Sequence, residues 1–290
     1  MMETLSSLAL SRRIRASIFL TSLMSDWAWE LSKRTGEAGS PAWSVRGMRC
    51  GGGQFDLADS GWINEVGDVA FYWHVAGEEA RVDFAPPQAI TIATLGSVYV
   101  KKARSGKIIT IAHQGDAAPG GGVFRLTGSP VINDKGDVSF SGDLTPAPNV
   151  GLVTGVYLYS GHKTIALARP GDLMPGGGTF VTASIVGAGQ VHINSESEVA
   201  FNAGLDRAGA AESGVFVWSH GLLRLVAGTG TEIPGVGTIA QMTMFVEIVP
   251  PPPSVTPNSG AINNDKGQVL FGATLTDGRG VLLLASPRDR

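Results

Sequence analysis

Asn133-Asp134-Lys135-Gly136-Asp137-Val138-Ser139-Phe140 decides the fold, because the chain carries this stretch four times. The other copies are Asn64-Glu65-Val66-Gly67-Asp68-Val69-Ala70-Phe71, Asn194-Ser195-Glu196-Ser197-Glu198-Val199-Ala200-Phe201 and Asn264-Asp265-Lys266-Gly267-Gln268-Val269-Leu270-Phe271. Asn suits the first position of a type I turn, where its side chain bonds backbone ahead of it. A Gly further on takes the left-handed conformation that closes a hairpin. After each turn Val and Phe alternate with other residues, which predicts a strand burying one Val and one Phe per copy on one face.

Outward from each copy lies a second hairpin. Val156–Tyr159, a turn at Ser160-Gly161-His162 and Lys163–Ala168 form one. Val215–Trp218 with Leu222–Ala227, and Val98–Lys101 with Lys107–Ala112, repeat it in apolar, β-branched sequence. Between units run Gly115-Asp116-Ala-Ala-Pro119-Gly-Gly-Gly-Val-Phe124, Gly171-Asp172-Leu-Met-Pro175-Gly-Gly-Gly-Thr-Phe180 and a degenerate Gly230-Thr231-Glu232-Ile-Pro234. The expected fold is therefore all-β: a propeller-like array of four four-stranded antiparallel units, starting near Gly51, Gly120, Gly176 and Gly235.

The fourth unit runs out after its third strand, while strand-like Trp43–Arg49 precedes the first. We expect that segment to complete the last unit and close the ring, hiding its edges. Residues 1–40 then form a non-repeat N-terminal segment and 41–290 the repeat domain. Arg12, Arg13 and Arg15 before a short apolar run to Met24 have the order of a leader peptide, without its small-residue cleavage site.

Composition narrows the function. With 43% hydrophobic and 16% charged residues the chain buries a sizeable core and is not disordered. A net charge of −3, with no basic run, excludes phosphate-tracking nucleic-acid binding. The single Cys50 excludes an internal disulfide framework and Cys-based zinc patterns, and no apolar run has the length of a transmembrane helix.

The alternating Asn-x-x-Gly-x-Val-Ala-Phe and Gly-Asp-x-x-Pro-Gly-Gly-Gly segments resemble the bacterial tandem-repeat proteins named for an NxxGxxxAF motif. The resemblance covers roughly residues 51–285. It implies a propeller-like fold and a cell-envelope or secreted location, with a cytoplasmic one as the alternative, and it brings no catalytic residues. The partner it leaves open is a small molecule, a glycan or a protein.

Candidate chemistry is sparse. Asp116 and Asp172 occupy equivalent loops and are the candidate ligands for a calcium ion; the competing reading is a carboxylate that caps its own loop. No other cofactor is expected. His113 and Glu232 are the candidate catalytic groups, and His74 and His192, in or beside strands, are further candidate bases; His162 and His220 fall in exposed turns. The four Asn are accounted for by turn chemistry. Two functions follow: a non-catalytic ligand- or partner-binding β-repeat module of the envelope or surface, or a calcium-dependent propeller hydrolase of the lactonase or esterase class, in which the metal polarises a carbonyl and a base activates water.

Overall fold

The computed structural model of the protein describes residues 55–75, 82–83, 89–90, 96–145, 154–183, 191–242 and 260–287, and the described elements are all strands. β1 (Phe55–Ile63) and β2 (Val69–Val75) are followed by the short pair β3 (Val82–Asp83) and β4 (Ala89–Ile90), then by β5 (Ser97–Lys101) and β6 (Ile108–Ala112). The first sheet is β1-β2-β5-β6. The second is β7 (Val123–Ile132), β8 (Val138–Thr145), β9 (Thr154–Ser160) and β10 (Lys163–Ala168), paired in chain order. In the third, the first strand is split into β11 (Thr179–Thr182) and β12 (Val191–Ile193), both pairing β13 (Val199–Arg207), which leads to β14 (Ala210–Ser219) and β15 (Leu222–Gly228). The fourth holds β16 (Glu232–Ile233), β17 (Gly237–Met242), β18 (Ile262–Asn263), β19 (Val269–Leu275) and β20 (Gly280–Ala285). All the pairings are antiparallel. Four repeated antiparallel sheets of four or five strands are the propeller-like architecture that the repeats predict.

The core lies between sheets. One apolar cluster joins Val98 and Val100 of the first unit to Phe124, Val138 and Phe140 of the second. The next joins Val156 and Leu158 to Val199 and Phe201. A third joins Val215 to Val269 and Phe271. Each sheet thus has a leading face, built on the Val-x-Phe stripe, and a trailing face that packs on its successor. The stripe has a partner within its own sheet: Phe71 stands opposite Tyr99, Phe140 opposite Tyr157 and Phe201 opposite Phe216. Their ring centroids are 5.6, 5.5 and 5.8 Å apart in near-parallel stacks. In the fourth unit Leu283 takes that place opposite Phe271.

The Asn turns form as the sequence predicts. In each, the N–H of the third residue after Asn donates to the Asn carbonyl, and Asn Oδ1 accepts backbone N–H groups ahead of it. Gly67, Gly136 and Gly267 have φ of 85°, 85° and 71°; Ser197 adopts 64° at the same position. The strain of a side chain there is offset by its hydroxyl, which donates to Asp137 Oδ2 at 2.6 Å and accepts from Asn133 Nδ2 at 3.1 Å.

Turn chemistry uses only half of each Asn. Nδ2 of Asn64 donates to the carbonyl of Asn133 at 2.9 Å, Asn133 to that of Asn194 at 3.0 Å, and Asn194 to that of Asn264 at 2.9 Å. One buried amide per unit therefore fixes the height of the next. The series stops at Asn264, which is exposed and gives its amide to Gln268 of its own unit. The expectation of a closed ring is corrected here: the sheets form an open array, since among the described residues the fourth unit makes no such link back to the first and β20 pairs β19 alone. The segment Trp43–Arg49 lies outside the described residues. Among those residues no helix is long and apolar enough to cross a membrane.

Candidate functional site

The four units converge on a cavity of about 660 Å³, lined by the residues that run up to each Asn turn. Every unit supplies the same four consecutive positions, so the array is its own control. The Asn position is invariant. The position after it is Glu65, Asp134, Ser195 or Asp265 and forms a polar rim; the position before it is Ile63, Ile132, Ile193 or Asn263. Two residues before Asn stand Trp62, Val131, His192 and Ile262, no two alike.

The residues that break the pattern touch one another. The rings of Trp62, from the first unit, and His192, from the third, meet edge to face with centroids 5.8 Å apart. His192 is 1% exposed, and its Nδ1 lies 2.9 Å from Asn263 Oδ1, from the fourth unit. Asn263 Nδ2 donates to the Glu198 carbonyl at 2.8 Å, which leaves Oδ1 as the acceptor toward the imidazole. His192 Nδ1 therefore carries a proton, and in the neutral ring Nε2 is the basic nitrogen. Asn263 owes its departure from Ile to this role: an apolar side chain there would strand a buried N–H.

On the rim, Asp134 Oδ1 accepts from the Glu65 N–H and Asp265 Oδ1 from the Ser195 N–H, each at 2.8 Å. Among the described residues of the lining, Lys266 is the one lysine or arginine. Three carboxylates against one ammonium give the mouth a negative field.

Asp116 and Asp172 lie elsewhere. Asp116 Oδ2 accepts the His113 N–H and Asp172 Oδ2 the Arg169 N–H, both at 2.8 Å. Thr231 does the same with the Gly228 N–H at 2.9 Å. The three side chains cap equivalent loops, which explains why Thr replaces Asp in the degenerate copy. Asp172 also faces the Arg169 guanidinium at 3.3 Å, and each of the two loops holds a single acidic residue. Such donor sets, with one carboxylate already bonded to its own backbone, are a poor match to a calcium ion that takes six or more oxygens. Among the described residues no group of three or more His, Cys, Asp and Glu side chains is gathered as a metal site would be.

Neither His113 nor Glu232 lines the cavity. His113 is half-buried with Nδ1 2.6 Å from the Gln114 carbonyl, and Glu232 is exposed on β16. His162 and His220 sit exposed in hairpin turns at φ of 64° and 49°; the side chain of His74 lies outside the described residues. Of the histidines singled out from sequence, the structure brings His192 to the cavity. Asn263 is legible as a departure when the four copies are aligned on Asn, since the other three carry Ile there, whereas the column of Trp62 holds four different residues and signals nothing.

Elsewhere, burial alone would raise the Asp68 carboxyl, but hydrogen bonds from Lys102 Nζ and the Ala103 N–H outweigh it and hold the group below its ordinary 3.8.

No curated protein matches the sequence. Two solved structures similar to the chain are a protein described as a gluconolactonase, at 12% identity and TM-score 0.34, and a gluconolactonase from Xanthomonas campestris, at 10% and 0.33. Each match covers 79% of this chain, which spans 64% and 62% of the length of those two. At that identity and score neither likeness bears on activity. Residues 63–249, well over half of the chain, match the model described as a family of unknown function, DUF7453, and the chain belongs to that family.

Proposed function

We propose that the protein is a non-catalytic ligand-binding β-repeat module whose cavity takes a small polar molecule rich in hydrogen-bond donors. One observation carries the reading: Trp62, His192 and Asn263, the last in place of the Ile of the other three units, meet in the cavity where the units converge. A scaffold alone has no use for three different units contributing three different polar or aromatic groups to one point. Trp62 offers an apolar face with a polar edge, and the carboxylate rim disfavours anions. The envelope location rests on the family resemblance alone.

Isothermal titration against neutral sugars, polyols, primary amines and carboxylates tests this. The expected result is binding within the first three classes that falls at least about tenfold, a loss near 1.4 kcal/mol, in the double variant His192→Val/Asn263→Ile. Equal affinity in the folded double variant would remove the cavity as the site.

A second reading, hydrolysis in the same cavity, is favoured by the His192 tautomer, which makes Nε2 the nitrogen able to accept a proton from water. Turnover of small lactones or esters, lost in His192→Gln, would replace the binding reading. Loss of that turnover on chelation would bring in calcium.

A further inference from the structure

The cavity presents two kinds of lining. Ile63, from the first unit, and Ile262, from the fourth, line it and keep 53% and 41% of their surface exposed, whereas Ile132 and Ile193, at the place of Ile63 in the second and third units, are buried in the cores between sheets. Beside Ile63 stands the partly buried ring of Trp62. This wall is apolar. The rim follows three residues along each segment, with Glu65 after Trp62, Asp134 after Val131 and Asp265 after Ile262. Two of its carboxylates are fixed across units, Asp134 Oδ1 by the Glu65 N–H and Asp265 Oδ1 by the Ser195 N–H, each at 2.8 Å. They are thereby held at the two segments that carry Trp62 and His192.

We propose that the ligand of this cavity is a protonated primary amine with a short apolar body, an inference that rests on the ligand-binding reading above and narrows it to one chemical class. The body lies against Trp62, Ile63 and Ile262, and the ammonium at the carboxylate rim. A sugar or polyol carries hydroxyls all round and would set some of them against the two isoleucines, which have nothing to bond them with. An alkylammonium is charged at neutral pH and gathers its three donors at one end, leaving the rest of the molecule to the apolar wall. Carboxylates already fixed by backbone donors lose little freedom when they receive it. With Lys266 set against three carboxylates, the mouth attracts a cation and repels a carboxylate of the same length. A lysine side chain offers the same chemistry as a free amine, so the test separates the two.

Calorimetric titration of the full chain with n-butylamine, n-butanol, butyrate and glucose at low salt should show butylamine binding at least about tenfold tighter than the other three. Shortening it to ethylamine should weaken binding by about threefold for each methylene removed. In Asp134→Asn/Asp265→Asn the amide oxygens still accept the Glu65 and Ser195 N–H groups, so the melting midpoint should hold while butylamine falls to the affinity of butanol. A salt series on wild type makes the same point without substitution, since the advantage of butylamine over butanol should shrink as salt rises. Nα-acetyl-lysine amide in place of butylamine separates the sources: tighter binding assigns a lysine side chain, weaker binding a free amine. Butylamine affinity unchanged in the folded rim variant, or an advantage over butanol that salt does not touch, overturns the proposal. Glucose binding that matches or exceeds butylamine and is lost in His192→Val/Asn263→Ile overturns the amine while leaving the binding module intact, whereas heat from none of the probes removes both.

Discussion

Two neighbouring sets of residues in the cavity obey opposite rules. Asn64, Asn133, Asn194 and Asn264 are identical in kind, and the first three share one pattern: Oδ1 holds the local turn and Nδ2 reaches a carbonyl of the next unit, Asn194 Nδ2 also bonding Glu198 in its own. Two residues earlier stand Trp62, Val131, His192 and Ile262, two β-branched aliphatics beside an indole and an imidazole. A position that must join one sheet to the next is held constant by geometry. The second position takes whatever its own surroundings admit: Val131 is buried in the core between sheets, Trp62 packs against two such cores, and His192 bonds Asn263.

That contrast breaks most readily at Asn133. Asn133→Ala removes two bonds to the next unit and two to its own turn, and should cost about 3 kcal/mol, read as a lower midpoint in urea. Asn264→Ala, whose amide stays in its own exposed unit, should cost about 1 kcal/mol. Equal losses would mean that the bonds between units contribute nothing.

The variable set is sharpened by restoring the repeat. Asn263→Ile alone leaves the His192 N–H without its acceptor and should cost about 2 kcal/mol. Adding His192→Val should return most of that loss while the proposed ligand binding stays at least about tenfold weaker than in wild type. A double variant as unstable as the sum of its parts would make His192 and Asn263 structural.

At the turn itself, Gly136→Ala should lower stability by about 1 kcal/mol, since φ is 85° and a Cβ would stand 3.3 Å from Lys102 Nζ. An unchanged midpoint would show that Ser197 sits at positive φ without cost and that its bonds to the second unit are incidental.

The smallest effect is in acid. The Asp68 carboxyl lies below 3.8 in the folded chain, so its contribution is complete above the unfolded value and is lost as pH falls through the folded one. Lys102 is partly exposed, so the contribution is small. Wild type should therefore lose stability slightly faster than Asp68→Asn below pH 3.8, in melting midpoints taken across the acid range. Parallel curves would show that the pair contributes nothing.

Much of the fold is legible in the sequence because it is local. The Asn turn, the Val-x-Phe stripe and the second hairpins need only a few consecutive residues to declare themselves, and Lys163–Ala168 is a strand with those same limits. What joins the units is non-local. The amide of Asn133 and the carbonyl of Asn194 are 61 residues apart, and nothing at either position announces the other. The stacking of Phe140 on Tyr157 likewise depends on register. His192 was readable as a histidine beside a strand, but its tautomer rests on Asn263, 71 residues away. Asp116 and Asp172 look alike as metal ligands and as loop caps, since both roles ask for an oxygen after a glycine; the bonds to the His113 and Arg169 N–H groups are visible only in three dimensions.

The one-way reach of the Asn amides has a consequence for how such a chain changes over generations. Each amide engages its immediate successor and no further, so the bonds that join sheet to sheet do not count how many units there are; the contact of Trp62 with His192, which skips a unit, does. A duplicated stretch of coding sequence arrives with its donor, its acceptor and both of its faces already suited to any neighbour. Deleting a whole unit keeps the donor and acceptor of each remaining link but disturbs the contacts of Trp62, His192 and Asn263, which are specific to their units. The number of units is thus an inherited variable, free to drift or be selected without repacking a core. With it varies the width of the cavity on which the units converge, which is thus set by counting rather than by substitution.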